Sequence, residues 1–325
     1  MRHGHQICQT IKKLRLSNNI SQETLANALG ISTQAISKWE NLRALPDITL
    51  LPDIAAFFNV TIDTLFVGST KDEKVLPTSV NENLQINRAA WNNISEKGWV
   101  GTTLPSWGVY IPGEEQLRLL EDITGKNVLE IACGAGKSLL YCSQKKPREL
   151  WGLDISEVQL EKARKLLAEN GVEANLYQSP METNPGIPEH HFDCVYSVYG
   201  IGWAQDLDKT ISLVSKYLKT NGTFVFSWDS PILPCLETIN GQYVLNRSYI
   251  EEARIRRKQR GEPVVMTFWK MATFVNSLSK HGFKIERLVE DSCEISEDAA
   301  FTNEYYSEYK AQYINHTFVM QARKL

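Results

Sequence analysis

The first 68 residues contain short stretches in which apolar positions recur every three or four residues. Leu25 and Leu29 lie four apart, and Ile36 and Trp39 lie three apart, which is the spacing of one face of an α-helix. A serine precedes each stretch and can cap its first turn. Gly30 separates the two stretches and suits the left-handed backbone of a tight turn. The pattern predicts short helices, two of which form a helix-turn-helix.

A different pattern begins near residue 127, where apolar runs alternate with glycine-rich turns and helical stretches. The predicted strands are residues 127–132, 149–154, 192–197 and 223–228, and a helix is predicted at 206–218. Such alternation is typical of βαβ units around a parallel sheet. The polar residues between the two patterns predict three segments. They are an N-terminal domain at 1–69, a linker at 70–85 and a larger domain at 86–325.

Composition narrows the class of protein. The 325 residues suffice for two cores, and 42% hydrophobic and 22% charged residues are typical of a soluble globular protein. The formal charge is −3, and neither half of the chain has the polybasic load of a non-specific nucleic-acid binder, so any contact with DNA must come from a few placed side chains. The six cysteines form no C-x-x-C pair, which predicts neither a zinc site nor disulfides. Without a signal peptide or a long apolar run, we expect a cytoplasmic protein with no membrane contact.

The N-terminal motif carries a family resemblance. Residues 21–40, SQETLANALGISTQAISKWE, resemble the helix-turn-helix of Cro and phage-repressor (XRE-type) domains, and the resemblance covers roughly 7–67. It implies an all-α five-helix domain that binds double-stranded DNA, with a structural pair between Arg15 and Glu40. The implied base-reading side chains are Thr33, Gln34, Ser37 and Lys38, and the implied phosphate contacts are Gln22 and Asn41. A small helical bundle for protein contacts is the alternative, and a homodimer on a pseudo-palindromic operator is a further hypothesis.

Three glycine-rich motifs compete for residues 131–139. A phosphate-binding P-loop needs glycine at position 131, which is Ile131, and a dinucleotide fingerprint needs glycine at 139, which is Leu139. The third motif is an acidic residue late in a strand followed by a G-x-G turn. Glu130 and the turn Gly134-Ala135-Gly136 fit this motif. Asp154 ends the next strand, twenty residues after Gly134, and its carboxylate can accept both ribose hydroxyls of an adenosine. A capping box at 156–159 then predicts a helix that stops at Gly171.

The run VLEIACGAG at 128–136 resembles the first motif of class I S-adenosylmethionine-dependent methyltransferases, most closely the ubiquinone/menaquinone-type group that acts on small molecules. The resemblance covers roughly residues 86–325. It implies a Rossmann-like domain with a mostly parallel seven-stranded sheet, whose last strands are 283–290 and an antiparallel 317–323. It also implies S-adenosylmethionine as cofactor. The implied cofactor-binding residues are Glu130, Cys133, Gly134, Ala135, Gly136, Asp154, Ile155, Ser179, Met181, Glu182 and Ser197.

The sequence gives less specific signals for catalytic residues than for cofactor-binding residues. Tyr199, Trp203 and Asp229 lie near the predicted cleft by topology, at the carboxyl ends of strands. Residues 231–270 interrupt the pattern, and we consider both a solvated helical insertion and a lid over the acceptor. Tryptophans before residue 110 are predicted to close the other side or to belong to the core. His190 and His191 are expected in a surface turn.

These features lead to two functional hypotheses. The first is a methyltransferase with a small-molecule methyl acceptor and a regulatory DNA-binding domain. The second is a transcriptional regulator whose larger domain only senses S-adenosylmethionine, its demethylated product or another metabolite. DNA itself fits poorly as the acceptor, because residues 197–200 read SVYG rather than the D/N-P-P-Y/F type of adenine methyltransferases, and Pro234-Cys235 follows the wrong strand for a cytosine enzyme.

Overall fold

The computed structural model describes residues 2–18, 20–58, 60–67, 73–74, 79–98, 101–120, 122–239, 241–293 and 295–325. The chain divides into two compact units, Met1–Glu73 and Lys74–Leu325. Trp99 and most of the predicted linker lie outside the described residues. Each unit has its own hydrophobic core.

The first unit is all α-helical. Its helices are α1 (Arg2–Ser17), α2 (Gln22–Ala28), α3 (Thr33–Glu40), α4 (Leu51–Phe58) and α5 (Ile62–Val67), with a 3-10 turn at Ile48–Leu50. The side chain of Ser21 accepts a hydrogen bond from the backbone N–H of Thr24, and that of Ser32 accepts one from Ala35. Gly30 adopts φ +65° between α2 and α3. The predicted five-helix domain with its helix-turn-helix is confirmed.

A buried ion pair fastens three of these helices together. Arg15 donates to both carboxylate oxygens of Glu40, with Nε–Oε1 at 2.6 Å and Nη2–Oε2 at 2.8 Å. The side-chain amide of Gln22 donates to Glu40 Oε2 at 2.7 Å. Burial alone would raise the pKa of Glu40, but the bonds from Arg15 and Gln22 hold that pKa below its ordinary value. The pair is structural, as the sequence predicts.

The second unit is an α/β domain. Its helices are α6 (Val80–Glu96), α7 (Glu114–Leu117), α8 (Lys137–Ser143), α9 (Glu157–Glu169), α10 (Leu207–Tyr217), α11 (Met271–Lys280) and α12 (Glu308–Ala311). After β1 (Glu73–Lys74) at the boundary of the units, its strands are β2 (Asn127–Ile131), β3 (Glu149–Asp154), β4 (Asn175–Gln178), β5 (Phe192–Ser197), β6 (Leu218–Asp229), β7 (Leu236–Ile239), β8 (Gln242–Leu245), β9 (Arg254–Gln259), β10 (Glu262–Thr267), β11 (Phe283–Val289) and β12 (Thr317–Lys324).

Seven of the strands form one sheet in the order β11-β12-β6-β5-β2-β3-β4. Only β12 in this sheet runs antiparallel to its neighbours. This arrangement confirms the predicted mostly parallel sheet and its antiparallel last strand. All five residues of β2 are buried, as expected for a central parallel strand covered on both faces. The carboxyl ends of β2 to β6 meet at one edge, which is where open α/β sheets bind ligands.

Two predicted boundaries differ from the structure. The linker predicted at 70–85 overlaps α6, which begins at Val80 with a capping box: Ser79 Oγ accepts from Glu82 N, and Glu82 Oε2 accepts from Ser79 N. The inner face of α6 carries buried asparagines, so its apolar period is weak. The strand predicted at 223–228 begins earlier, because Leu218 already pairs with Phe192.

The helical insertion considered for 231–270 is wrong, because this segment forms two β-hairpins, β7–β8 and β9–β10. Alternation explains the second hairpin: Ile255 is buried, whereas the basic residues on either side of it are partly or fully exposed. Arg260 and Gly261 both adopt positive φ at the turn, as two-residue hairpin loops require. Among the described residues, no helix has the length and apolar content needed to cross a bilayer.

Candidate active site

A cavity of about 570 Å³ opens at the carboxyl edge of the seven-stranded sheet. Its volume lies within the range of about 300–1,000 Å³ that is usual for small-molecule sites. One end, here called the nucleoside end, is formed by the loop after β2 and by the residues that follow β3 and β4. The other end, here called the acceptor end, surrounds Asp229 at the end of β6.

The loop after β2 has an unusual backbone. Ala132, Gly134 and Gly136 all adopt left-handed conformations, with φ of +58°, +51° and +76°. The left-handed conformation is energetically unfavourable for a non-glycine residue such as Ala132, and such strained positions are common in functional loops. A Cβ placed on Gly134 would meet nothing within 4 Å, so this position is open to a ligand.

Asp154 closes this loop through the backbone. Its Oδ2 accepts from Gly134 N at 2.8 Å, and its Oδ1 accepts from Ser156 N at 2.8 Å. Burial raises the pKa of Asp154 to about 6, against the opposing effect of these backbone bonds. Since Ser156 N is bound to Asp154, the predicted capping box is present only in the bond from Gln159 N to Ser156 Oγ. Each carboxylate oxygen can accept a further hydrogen bond.

The loop after β4 completes the nucleoside end. Ser179, Met181 and Glu182 line the cavity, as does Ile155 from the loop after β3. Glu182 accepts from Gln205 N through Oε1, whereas its buried Oε2 has no hydrogen-bond partner. Burial raises the pKa of Glu182. The buried Oε1 of Gln159 also lacks a partner, so two cavity-lining residues carry unsatisfied buried oxygens.

Two predicted cofactor residues do not line the cavity. Gly136 packs against α9, because a Cβ at this position would lie 2.9 Å from the Cβ of Ala163. Ser197 is fully buried, and its hydroxyl donates to Ile131 O at 3.0 Å, which ties β5 to β2. The other predicted residues of the loop, together with the acid in β2, are cavity-lining: Glu130, Cys133, Gly134 and Ala135.

Tyrosine hydroxyls surround the carboxylate at the acceptor end. Tyr306 donates to Asp229 Oδ1 at 2.8 Å, and Tyr305 donates to Oδ2 at 3.3 Å. The hydroxyl of Tyr199, a cavity-lining residue with φ +52°, is 2.6 Å from Thr317 Oγ1. Burial raises the pKa of Asp229, and the phenol bonds oppose that shift. The sequence offered no signal for Tyr305 and Tyr306, which lie 76 and 77 residues from Asp229.

Three tryptophans form an aromatic wall beside these tyrosines. The rings of Trp91 and Trp203 meet edge to face with centroids 4.9 Å apart, and Trp203 and Trp228 meet similarly at 5.8 Å. A Cβ on Gly202 would lie 1.8 Å from Trp228, so only glycine permits this packing. The tryptophans expected before residue 110 therefore differ in role, because Trp91 lines the cavity whereas Trp107 is fully buried in the core.

The β9–β10 hairpin supplies the remaining wall, with Arg257, Gln259, Arg260 and Met266 facing the cavity. Helix α6 holds the hairpin through Asn87, whose amide donates to Val265 O and accepts from Val265 N, both at 2.8 Å. Among the described residues of the segment 231–270, which was considered as a lid, only those of the β9–β10 hairpin line the cavity, and they form a wall. The alternation at 254–259 before an Arg-Gly turn could have identified the hairpin from sequence.

The predicted DNA-contacting residues lie on and around α3. Thr33, Gln34, Lys38 and Asn41 are exposed, and Ser37 is half-buried beside the amide of Asn41, which donates to Ser37 O at 2.9 Å. Gln22 turns its amide to Glu40. In the other unit, His190 and His191 lie at a surface turn as expected, where His191 Nε2 is 2.8 Å from Glu149 Oε2.

Comparison with known families agrees with both units. A helix-turn-helix family model matches residues 11–65, and a methyltransferase-domain model matches residues 128–222. An uncharacterized protein of Haemophilus influenzae is 30% identical over 189 residues, covering 54% of this chain and 73% of that protein.

Two further relatives match one unit each. The HTH-type transcriptional activator BcrR of Enterococcus faecalis is 36% identical over 86 residues, or 26% of this chain and 40% of BcrR. Aklanonic acid methyltransferase DauC of a Streptomyces species is 30% identical over 123 residues, or 37% of this chain and 54% of DauC. The chain thus spans about half the length, or less, of these two relatives.

Among solved structures, an S-adenosylmethionine-dependent methyltransferase from Mesorhizobium loti has a TM-score of 0.52 at 21% identity, covering 65% of this chain and 96% of that one. This likeness shows a shared fold. The two family models assign the two units to a helix-turn-helix family and a methyltransferase-domain family. The chain thus combines an S-adenosylmethionine-dependent methyltransferase domain, with S-adenosylmethionine as cofactor, with an XRE-type helix-turn-helix domain at its N-terminus.

Proposed function

We propose that the protein transfers the methyl group of S-adenosylmethionine to a small-molecule acceptor, and that its N-terminal unit binds double-stranded DNA in transcriptional regulation. The observation that carries the enzymatic part is that one continuous cavity joins the Gly134–Asp154 loop to the surroundings of Asp229. The acceptor end lies outside the predicted cofactor-binding loops, and its walls include aromatic and charged side chains that can contact a second small molecule. The relatives support both parts, since one is an aklanonic acid methyltransferase and the other is a transcriptional activator.

The donor set of the nucleoside end fits the cofactor. Asp154 would accept the ribose hydroxyls with its remaining lone pairs, and the open backbone at Gly134 would lie beside the methionine part. The unsatisfied oxygens of Glu182 and Gln159 would accept hydrogen bonds from an adenine amino group. The cofactor supplies an activated sulfonium methyl group. The protein's own contribution is to orient the acceptor and exclude water.

Calorimetry and product analysis test the enzymatic proposal. The purified full chain should bind S-adenosylmethionine and its demethylated product. Incubation with labelled cofactor and a small-molecule extract should then yield labelled products that mass spectrometry resolves. Binding without any methyl transfer would support the alternative of a metabolite-sensing regulator instead. Absence of binding by the folded chain would contradict both.

Exposed polar side chains on α3 support the DNA-binding proposal. Thr33, Gln34 and Lys38 present hydrogen-bonding groups of the kind that read base edges in the major groove, with no acidic residue among them. Gln34→Ala and Lys38→Ala should weaken retardation of an operator fragment. Lys38→Ala should also reduce the salt slope by about one unit if the lysine contacts phosphate. Gln9→Ala, an exposed glutamine of α1, is the matched control. Unchanged retardation by both variants would contradict the proposal.

Two further properties of the DNA-binding unit remain proposals. A homodimer would match a pseudo-palindromic operator, and sedimentation of the protein–DNA complex measures its stoichiometry. Coupling between the units would appear as different operator affinities with and without S-adenosylmethionine, whereas equal affinities would exclude it.

A further inference from the structure

The acceptor end brings an acidic and a basic side chain together from different elements. Asp229 ends β6, and Arg257 lies on the cavity-facing side of β9. Arg257 Cζ is 5.9 Å from the ring centre of Tyr305, and its Nη1 is 3.8 Å from Met266 Sδ. Among the described side chains, no carboxylate forms an ion pair with Arg257. The guanidinium therefore has no carboxylate at ion-pair distance there, and Asp229 acts on it only through a longer-range electrostatic attraction.

Unlike a surface carboxylate, Asp229 is half-buried and accepts hydrogen bonds from side chains on both oxygens. Phenol groups of Tyr305 and Tyr306 donate to its two oxygens, so its position is fixed. Its burial favours the protonated form, whereas Arg257 and the phenols favour the charged form. A carboxylate held in this position can accept a proton from a ligand that binds beside it.

The walls between these groups suit a flat apolar molecule. Trp91, Trp203 and Trp228 form adjacent faces of the cavity, and Met266 adds a flexible apolar contact. An aromatic cage with one acid would ordinarily favour a cation. Here Arg257 adds a positive charge that opposes the attraction of Asp229 for an ammonium group, and that stabilises a group which becomes negative as Asp229 takes up its proton.

Building on the proposed methyltransferase function, we propose that the acceptor is a planar aromatic compound with an acidic hydroxyl group. In this assignment, Asp229 accepts the hydroxyl proton and Arg257 stabilises the resulting oxyanion. The oxyanion lone pair forms the new O–CH₃ bond as the S–CH₃ bond breaks, and that bonding pair stays on sulfur. The products are a methyl ether, the neutral thioether S-adenosylhomocysteine and protonated Asp229, which returns its proton to solvent.

Three naphthalene derivatives of similar shape test the chemical class. A naphthol, a naphthylmethylamine and a methylnaphthalene are titrated into the full chain saturated with S-adenosylhomocysteine. The naphthol should bind at least about tenfold more tightly than the other two, as expected for one charge-assisted contact. With S-adenosylmethionine present, it should yield the methyl ether. Preference for the amine, or binding of none of the three by protein that still binds cofactor, would overturn the acceptor class. Loss of cofactor binding would instead overturn the proposed function.

Matched variants test the two residues separately. Arg257→Gln should weaken naphthol affinity at least about tenfold, whereas Arg256→Gln, exposed on the same strand, should not. Asp229→Asn should lower kcat by about 100- to 10,000-fold and flatten its rise with pH, whereas exposed Asp291→Asn should change neither. The charged and titratable groups facing Asp229 are Tyr199, Tyr305, Tyr306 and Arg257. Unaltered cofactor affinity would show that each variant is folded. Wild-type naphthol affinity in Arg257→Gln, or wild-type kcat in Asp229→Asn, would overturn the assignment.

Discussion

The two ends of the cavity are built in opposite ways. The nucleoside end comes mainly from three short segments, 130–138, 153–159 and 179–182, which follow neighbouring strands of the sheet. The acceptor end combines side chains from α6, β9, β10 and the loop before α12, which are distant in sequence. One end depends on the topology of the sheet, and the other depends on how the added segments pack against it.

Their carboxylates show the same contrast. Asp154 is held by backbone N–H groups, which every residue except proline provides. Asp229 is held by phenol hydroxyls, which only tyrosine provides in this arrangement. The nucleoside end can therefore keep its geometry through many substitutions, whereas a change of one side chain alters the acceptor end. The acceptor end is thus the part in which specificity can change without loss of the cofactor.

Among changes that compare the two ends, the largest expected effect on binding is on cofactor affinity. Asp154→Ala removes the acceptor of the ribose hydroxyls and the partner of Gly134 N, so S-adenosylmethionine affinity should fall about 100-fold. Affinity for the acceptor probe should change little, because the acceptor end is untouched. Asp291→Ala is the exposed control. Calorimetry measures both affinities, and an equal loss of both would show that the two ends are not independent.

A pair of glycine substitutions compares packing at the two ends. Gly202→Ala places a methyl group against Trp228 and should lower the free energy of unfolding by about 2–3 kcal/mol. Gly134→Ala meets no atom within 4 Å, and its left-handed backbone should cost only about 1–2 kcal/mol. Urea denaturation measures both. Equal losses would indicate that the aromatic wall adapts to the added methyl group.

Cofactor affinity should also depend on pH through Asp154. Its pKa lies at about 6, so the carboxyl is charged above that pH and accepts hydroxyl hydrogen bonds most strongly there. S-adenosylmethionine affinity should therefore decrease as pH falls below 6, by at most about tenfold per pH unit. Asp154→Asn cannot titrate and should show a flatter profile. The same slope in that variant would assign the effect to another group.

The smallest effect concerns the loop that carries the two acceptor-end tyrosines. Lys310 is buried and donates to the carbonyl oxygens of Glu304 at 3.0 Å and Tyr305 at 2.7 Å, and its burial lowers its pKa. Lys310→Met should reduce the free energy of unfolding by about 1 kcal/mol and weaken acceptor binding more than cofactor binding. Exposed Lys284→Met is the control. Unchanged acceptor affinity would indicate that the loop is held by other contacts.

The sequence predicts what short-range rules determine. The helix-turn-helix caps, the strand–glycine turn at 134 and the acid at 154 each involve residues close together in the chain, so spacing was sufficient. Helix α6 was not predicted, because asparagines take the place of apolar residues on its buried face and hide the helical pattern. Tyr305 and Tyr306 were not predicted as site residues, because only tertiary packing brings them to Asp229. Gly136 matched the motif, yet it faces α9 rather than the cavity, since spacing does not fix direction.

The bond between Asn87 and Val265 has a consequence beyond the cavity. Strand β10 lies at the end of its sheet, and an unpaired strand edge is a template for association with other chains. At Val265, Asn87 occupies both backbone groups, and Gln205 Nε2 adds a second bond to the carbonyl at 2.9 Å. Two amide side chains thus make the backbone hydrogen bonds that a neighbouring strand would make at this position. The middle of this edge is therefore protected against aggregation without the charged residue or proline that often serves that purpose.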